Sequence, residues 1–161
     1  MYTLHTSPCF GNDYLDTFDN LYLQGLSSIL NIDLKDRQWL QASLPVKAGG
    51  LGIRSASSLA LPAFLASAAG SSSLALQILP SHLCTNGDPK VGLALSASSA
   101  TSQQSPAPVD TAAFKQKSWD SIIIQKTQDS LLSESQSDYD SARLHAAFSK
   151  GSCDWLNAVP L

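Results

Sequence analysis

Charge is what this sequence has least of. Asp, Glu, Lys and Arg together make up 14% of the 161 residues, against about a quarter in an ordinary globular domain. Ten Lys and Arg against 13 Asp and Glu leave a formal net charge of -3, so no overall positive field gathers nucleic acid or an anionic membrane. Any phosphate contact has to be local. Cysteine is scarce as well: Cys9, Cys84 and Cys153 are odd in number and far apart, which is not the pattern of a disulfide-stapled secreted scaffold and makes a reducing, intracellular compartment the expectation. No apolar run approaches the roughly 20 residues that cross a bilayer, and the Met1 end has no basic stretch leading into an apolar one. Neither a membrane anchor nor a secretory signal is therefore expected. Gly-Lys-Ser/Thr, Cys-x-x-Cys and His-x-x-x-His spacings are all missing, which removes the commonest phosphate-loop and zinc signatures.

Serine, at 26 positions, and a hydrophobic share of 43% fill the space that charge leaves. Residues 56–109 carry only Asp88 and Lys90 as charges, and this divides the chain into three parts. In the first, Leu15, Phe18, Tyr22, Leu26, Ile29 and Leu30 recur at helical spacing behind Asn12 or Asp13 as a cap, predicting a helix with one apolar face. Asp33 and Asp36 then signal a second, short helix through Trp39, Leu40 and Ala42, which Pro45 stops. Gly49, Gly50 and Gly52 follow, where the backbone has to turn or approach something closely. In the middle part Ser55 is a cap for a helix through Leu59, Ala63, Leu65 and Ala66 to Gly70, with a kink or restart expected at Pro62. Leu74, Leu76, Ile78 and Leu79 read as a further short apolar piece. From Pro80 to Asp110 large apolar residues thin out, and Ser96 to Pro108 is too polar and small to offset the entropy of ordering, so a flexible linker is expected. The last part predicts a helix from Asp110 through Phe114, Trp119, Ile122, Ile123 and Leu131, with a strand at Ile122–Ile124 as the alternative. Another helix runs from about Asp138 to Lys150, with Leu144, Ala147 and Phe148 inside and Gly151 as its stop.

Each chemical motif has a plainer counterpart. Gly50-x-Gly52-x-x-Ser55 approaches a dinucleotide-binding loop, but Ser55 replaces the third glycine, the preceding Leu44 to Ala48 is a poor strand containing Pro45 and no βαβ alternation follows, so a structural turn is the better reading. His5 with Cys9, His82 with Cys84 and His145 with Cys153 are the local metal-ligand pairs, against which stands ordinary buried cysteine. Asp13, Asp16 and Asp19 read as a solvated helix face, and Asp138 with Asp140 as a cap. Lys35, Arg37, Lys47 and Arg54 surround the Trp39 helix and the glycine turn, supplying local positive charge beside backbone donors. Trp39 and Trp155 are candidates for base stacking or for core.

Residues Trp39 to Arg54, W-L-Q-A-S-L-P-V-K-A-G-G-L-G-I-R, followed by Ala63-Phe64-Leu65-Ala66-Ser67, resemble the segment just after the polymerase core in reverse transcriptases of animal non-LTR retrotransposons. Tyr2 to Pro8 and Asp19 to Asp36 are similar to the stretch that leads out of the polymerase palm in that family. Ala142-Arg143-Leu144 and Gly151 to Ala158 are similar to its next recurring block. The resemblance implies an RNA-directed DNA polymerase as the parent polyprotein, with template and primer as substrates and magnesium held by palm aspartates. Two adjacent Asp occur nowhere in this chain, and the family's later Cys/His cluster and endonuclease-like block are missing too.

The expectation is therefore a mainly α chain: small helical bundles with a Gly-rich turn and a disordered Ser/Ala/Pro linker, divided as 1–79, thumb-like; 80–110, linker; and 111–161, a second helical segment. It would have no catalytic or metal site of its own and no cofactor, magnesium belonging to the parent. Arg37, Lys47 and Arg54 are the residues expected on the phosphates of an RNA or DNA duplex, with Gly49, Gly50 and Gly52 forming the turn beside them. The competing readings are a helical protein–protein interaction module and a domesticated, retroelement-derived protein without a nucleic-acid role.

Overall fold

Start and stop signals in the sequence mark most of the helix ends. The computed structural model describes residues 2–80, 88–101 and 115–152, and among these it contains seven α-helices, one 3-10 turn and no strand. The protein is mainly α-helical. After a short α1 (Tyr2–Thr6), Asn12 caps α2 (Asp13–Leu30) by accepting the Tyr14 N–H at 2.9 Å, with Asp13 and Asp16 in the first turn. The helix ends at Asn31, whose φ of 51° is left-handed, while the Ile32 and Asn31 amides reach back to the Ser27 and Ser28 carbonyls. That arrangement is a Schellman stop, and asparagine is among the few residues besides glycine that tolerate it. Next comes α3 (Asp36–Ser43), whose Gln38 side chain accepts the Lys35 N–H at 2.9 Å, then a 3-10 turn at Val46–Ala48.

The helix α4 (Ala56–Ile78) is longer than its sequence signals suggest. It passes through both Pro62 and Gly70, joining what reads as two pieces. Pro62 is fully buried among Leu59, Ala60, Ala63 and Phe64; the packing of these turns outweighs the hydrogen bond its missing N–H removes. With no charged residue, α4 is long and apolar enough, by length and composition, to cross a membrane, contrary to the expectation from separate runs. Its stretch Leu59–Ala66, apart from the half-buried Leu61, is instead buried within the protein, whereas Leu74, Leu76 and Ile78 are exposed.

A further correction concerns the expected linker, because Pro89–Thr101 form a helix, α5. Asp88 accepts the Lys90 N–H at 2.8 Å and Pro89 occupies the first helical position, a start signal that composition alone obscured. Ala94 is completely buried against Phe64 and Trp119, so small side chains here permit close helix packing. The rest of the expected linker, 81–87 and 102–110, lies outside the described residues. Gln116–Ser133 form α6, which settles Ile122–Ile124 as helix, and Asp138–Phe148 form α7, with Ser137 accepting the Asp140 N–H at 3.2 Å.

Two compact units interleave along the chain rather than following one another. Unit 1 comprises residues 1–17 and 56–123. Its core is Leu4, Leu59, Ala60 and Ala63, joined by Cys9, Phe10 and Leu15, and then Phe64, Leu65, Ala66, Ala94 and Trp119. A gap of about 10 Å³ lies beside Pro62, Leu65 and Trp119. Unit 2 comprises residues 18–55 and 124–161. It is centred on Leu44, Leu131 and Leu144, with Ala48, Ile124, Leu132 and Phe148 packed around them. Much of the apolar face read on α2 is exposed, including Phe18, Tyr22 and Ile29.

Leu144 is 1% exposed, so Leu144→Ala should lower stability by about 3 kcal/mol in urea denaturation followed by circular dichroism. A loss below about 1 kcal/mol would contradict this packing.

Candidate functional site

The glycine turn of unit 2 spends its own donors. Amide N–H groups from Ala48 to Ile53 all donate to main-chain carbonyls: Ala48 and Gly50 to Pro45, Gly49 to Val46, Leu51 and Ile53 to Ala42, and Gly52 to Leu44, at 2.8–3.4 Å. Gly49 and Gly52 sit at φ of 86° and 76°, the region other residues avoid. A Cβ on Gly50 would fall 2.1 Å from the Leu44 carbonyl oxygen, and one on Gly49 would fall 2.7 Å from that of Ala147. Side chains reinforce the turn, with Gln128 donating to the Ala48 carbonyl at 3.1 Å and Gln41 to that of Gly49 at 3.4 Å. A dinucleotide loop needs amides aimed outward at pyrophosphate, and here they are aimed inward. The turn is a clasp between α3 and α7.

Around it the three cations expected on phosphate have different surroundings. Arg37 turns toward α7: its guanidinium lies 2.5 Å from Asp140 Oδ2 and donates to the Leu131 carbonyl at 2.9 Å. Lys47 is exposed on the 3-10 turn, and Arg54 lies half-buried just before α4. Arg143, one helical turn beyond Asp140, donates to Asp140 Oδ1 at 3.0 Å and to Gln41 Oε1 at 3.2 Å. The Asp140 carboxyl is held below the usual carboxylate range, first by the hydrogen bond from Arg37 and then by that from Arg143, with burial opposing them. Asp140 is thus an ionic link between α3 and α7 rather than the cap it resembled; Ser137 is the cap. The spacing Asp140-x-x-Arg143 on a helix was the available signal for this pair. Lys35, Arg37, Gln41, Asp140 and Arg143 border a cleft of about 290 Å³ floored by Leu131 and Leu144.

Other candidates fall into place singly. Asp19 is buried, accepting the Ser55 hydroxyl at 2.7 Å, and so does not share the solvated face of Asp13 and Asp16. Trp39 is half-buried and meets the Tyr22 ring edge-on at 6.3 Å, with Phe18 stacked on Tyr22 at 6.0 Å. His82, Cys84, Cys153 and Trp155 lie outside the described residues. Among the described residues no three His, Cys, Asp or Glu converge to hold a metal ion. No protein-family model, curated protein or solved structure matches the chain.

Because the folded-state affinity of Asp140 for a proton is lowered, its link contributes fully above the unfolded carboxylate range, about pH 4, and fades as pH falls toward the lower folded value. Urea denaturation across a pH series should therefore show wild type more stable than Asp140→Asn near neutrality, with the difference shrinking below about pH 4. A difference independent of pH would contradict the ionic link.

Proposed function

We propose that this chain is a non-catalytic portion of a reverse transcriptase of the animal non-LTR retrotransposon type, from the thumb and the segment after the polymerase core, whose parent grips a template–primer duplex by its backbone. The supporting observation is that residues 39–54, the first of the segments on which the resemblance rests, coincide with one structural piece: most of α3, the 3-10 turn and the glycine clasp. A turn whose amides from Ala48 to Ile53 are bonded to nearby carbonyls and whose Gly49 and Gly50 leave no room for a side chain is a rigid mount on which neighbouring cations keep their positions. Phosphate contacts position a duplex without reading its sequence, so Lys47 and Arg54 are sufficient candidates, while Arg37 holds α7. Polymerisation, template, primer and magnesium belong to the parent.

A second reading is favoured by the exposed apolar side chains on α2 and the end of α4, among them Leu21, Ile29, Leu74, Leu76 and Ile78. Such surface is typical of interaction faces, and in this reading the chain is a helical interaction module without a nucleic-acid role.

Binding of an RNA–DNA duplex over a salt series separates the two. The first reading expects salt-sensitive binding whose log–log slope falls by about two in a Lys47→Ala/Arg54→Gln variant that keeps its helical circular dichroism. Concentration-dependent self-association in sedimentation, with no duplex binding by wild type, would replace it with the module.

A further inference from the structure

We infer that the cleft between α3, α6 and α7 in unit 2 is a binding site for a phosphomonoester, a dianionic phosphate on a small polar group. Four charged side chains border the cleft, Lys35, Arg37, Arg143 and Asp140, and Asp140 is the only carboxylate among the described residues that does so. Its charge is already shared by two guanidiniums, so the cleft carries a net excess of two positive charges in a chain whose total is -3. A phosphomonoester carries about -1.5 to -2 at neutral pH and offers three acceptor oxygens; a phosphodiester, with one charge, would leave the excess half compensated. Arg143 is half-exposed and oriented by Asp140 and Gln41, and Lys35 is exposed at the rim. A guanidinium fork and a flexible ammonium together suit a terminal phosphate. The volume, about 290 Å³, is at the small end of ligand sites and suits a sugar phosphate or the terminal nucleotide of a strand, with Gln136 beside its hydroxyls. The site uses different cations from the duplex contacts proposed at Lys47 and Arg54.

Isothermal titration of the full chain at low salt tests this with four probes: ribose-5-phosphate, ribose, and a short single-stranded DNA with and without a 5′-phosphate. Ribose-5-phosphate should bind saturably and ribose should not. Arg143→Gln and Lys35→Gln should each weaken binding by about tenfold. Asp140→Asn, where circular dichroism shows it folded, should tighten binding, because the one competing carboxylate is gone. Lys90→Ala, outside the cleft, should leave the ribose-5-phosphate affinity unchanged, and because the cleft uses neither Lys47 nor Arg54, failure here is distinct from failure of the duplex reading. Preference for the phosphorylated strand over ribose-5-phosphate would identify a nucleic-acid end as the natural source, and exclusion of both strands a free sugar phosphate. The proposal is overturned by absence of saturable ribose-5-phosphate binding or by unchanged affinity in both Gln variants.

Discussion

Main chain packed against main chain, with no room for a side chain between, is the constraint on which unit 2 depends. Gly50 lies so close to the Leu44 carbonyl that even a methyl group would overlap it, and Gly49 stands in the same relation to Ala147 at the end of α7. Those contacts bring the last turn of α3 and the last turn of α7 within reach of the same hydrophobic centre, where Leu44, Leu131 and Leu144 meet. They also determine what the turn can do. Amides that close onto Ala42, Leu44 and Pro45 are not donors for a ligand, so binding chemistry in this unit has to come from side chains around the clasp.

The side chains present there divide by what they already hold. Arg37 is drawn into an ion pair with Asp140 and a bond to the Leu131 carbonyl, and its loss would be felt as loosened packing of α7 on α3 before any loss of affinity. Lys35 and Lys47 are exposed and Arg143 is half-exposed. In a protein with few charges, this local cluster departs from the acidic average, and both the duplex reading and the phosphomonoester site draw on it at different residues.

Local signals made much of the fold legible. Helices α2, α3 and α7 follow from apolar spacing and from Asn12, Asp36 and Pro45, and the turn at Gly49–Gly52 from the backbone freedom that only glycine has. What was not legible depended on partners distant in sequence. Ala94 and its small neighbours read as a linker because their burial comes from Phe64 and Trp119 rather than from their own size, although Asp88 and Pro89 already spelled a helix start. Pro62 read as a break because nothing local reveals that its ring is wholly buried. Asp19 read as solvated because its partner, Ser55, is 36 residues away. At the cleft, the sequence shows the charge of Arg37 but not its pairing with Asp140, which lies 103 residues further along the chain; only the Asp140–Arg143 half of the network is local.

The clasp is tested most directly by amide hydrogen exchange, read residue by residue by nuclear magnetic resonance. Amides of residues 48–53 should be protected together with those of α3 and α7, opening as one unit. Exchange of the Gly49–Gly52 amides at the rate of an unstructured chain, while α3 and α7 stay protected, would show an open loop whose donors are available, and would contradict a closed clasp in unit 2.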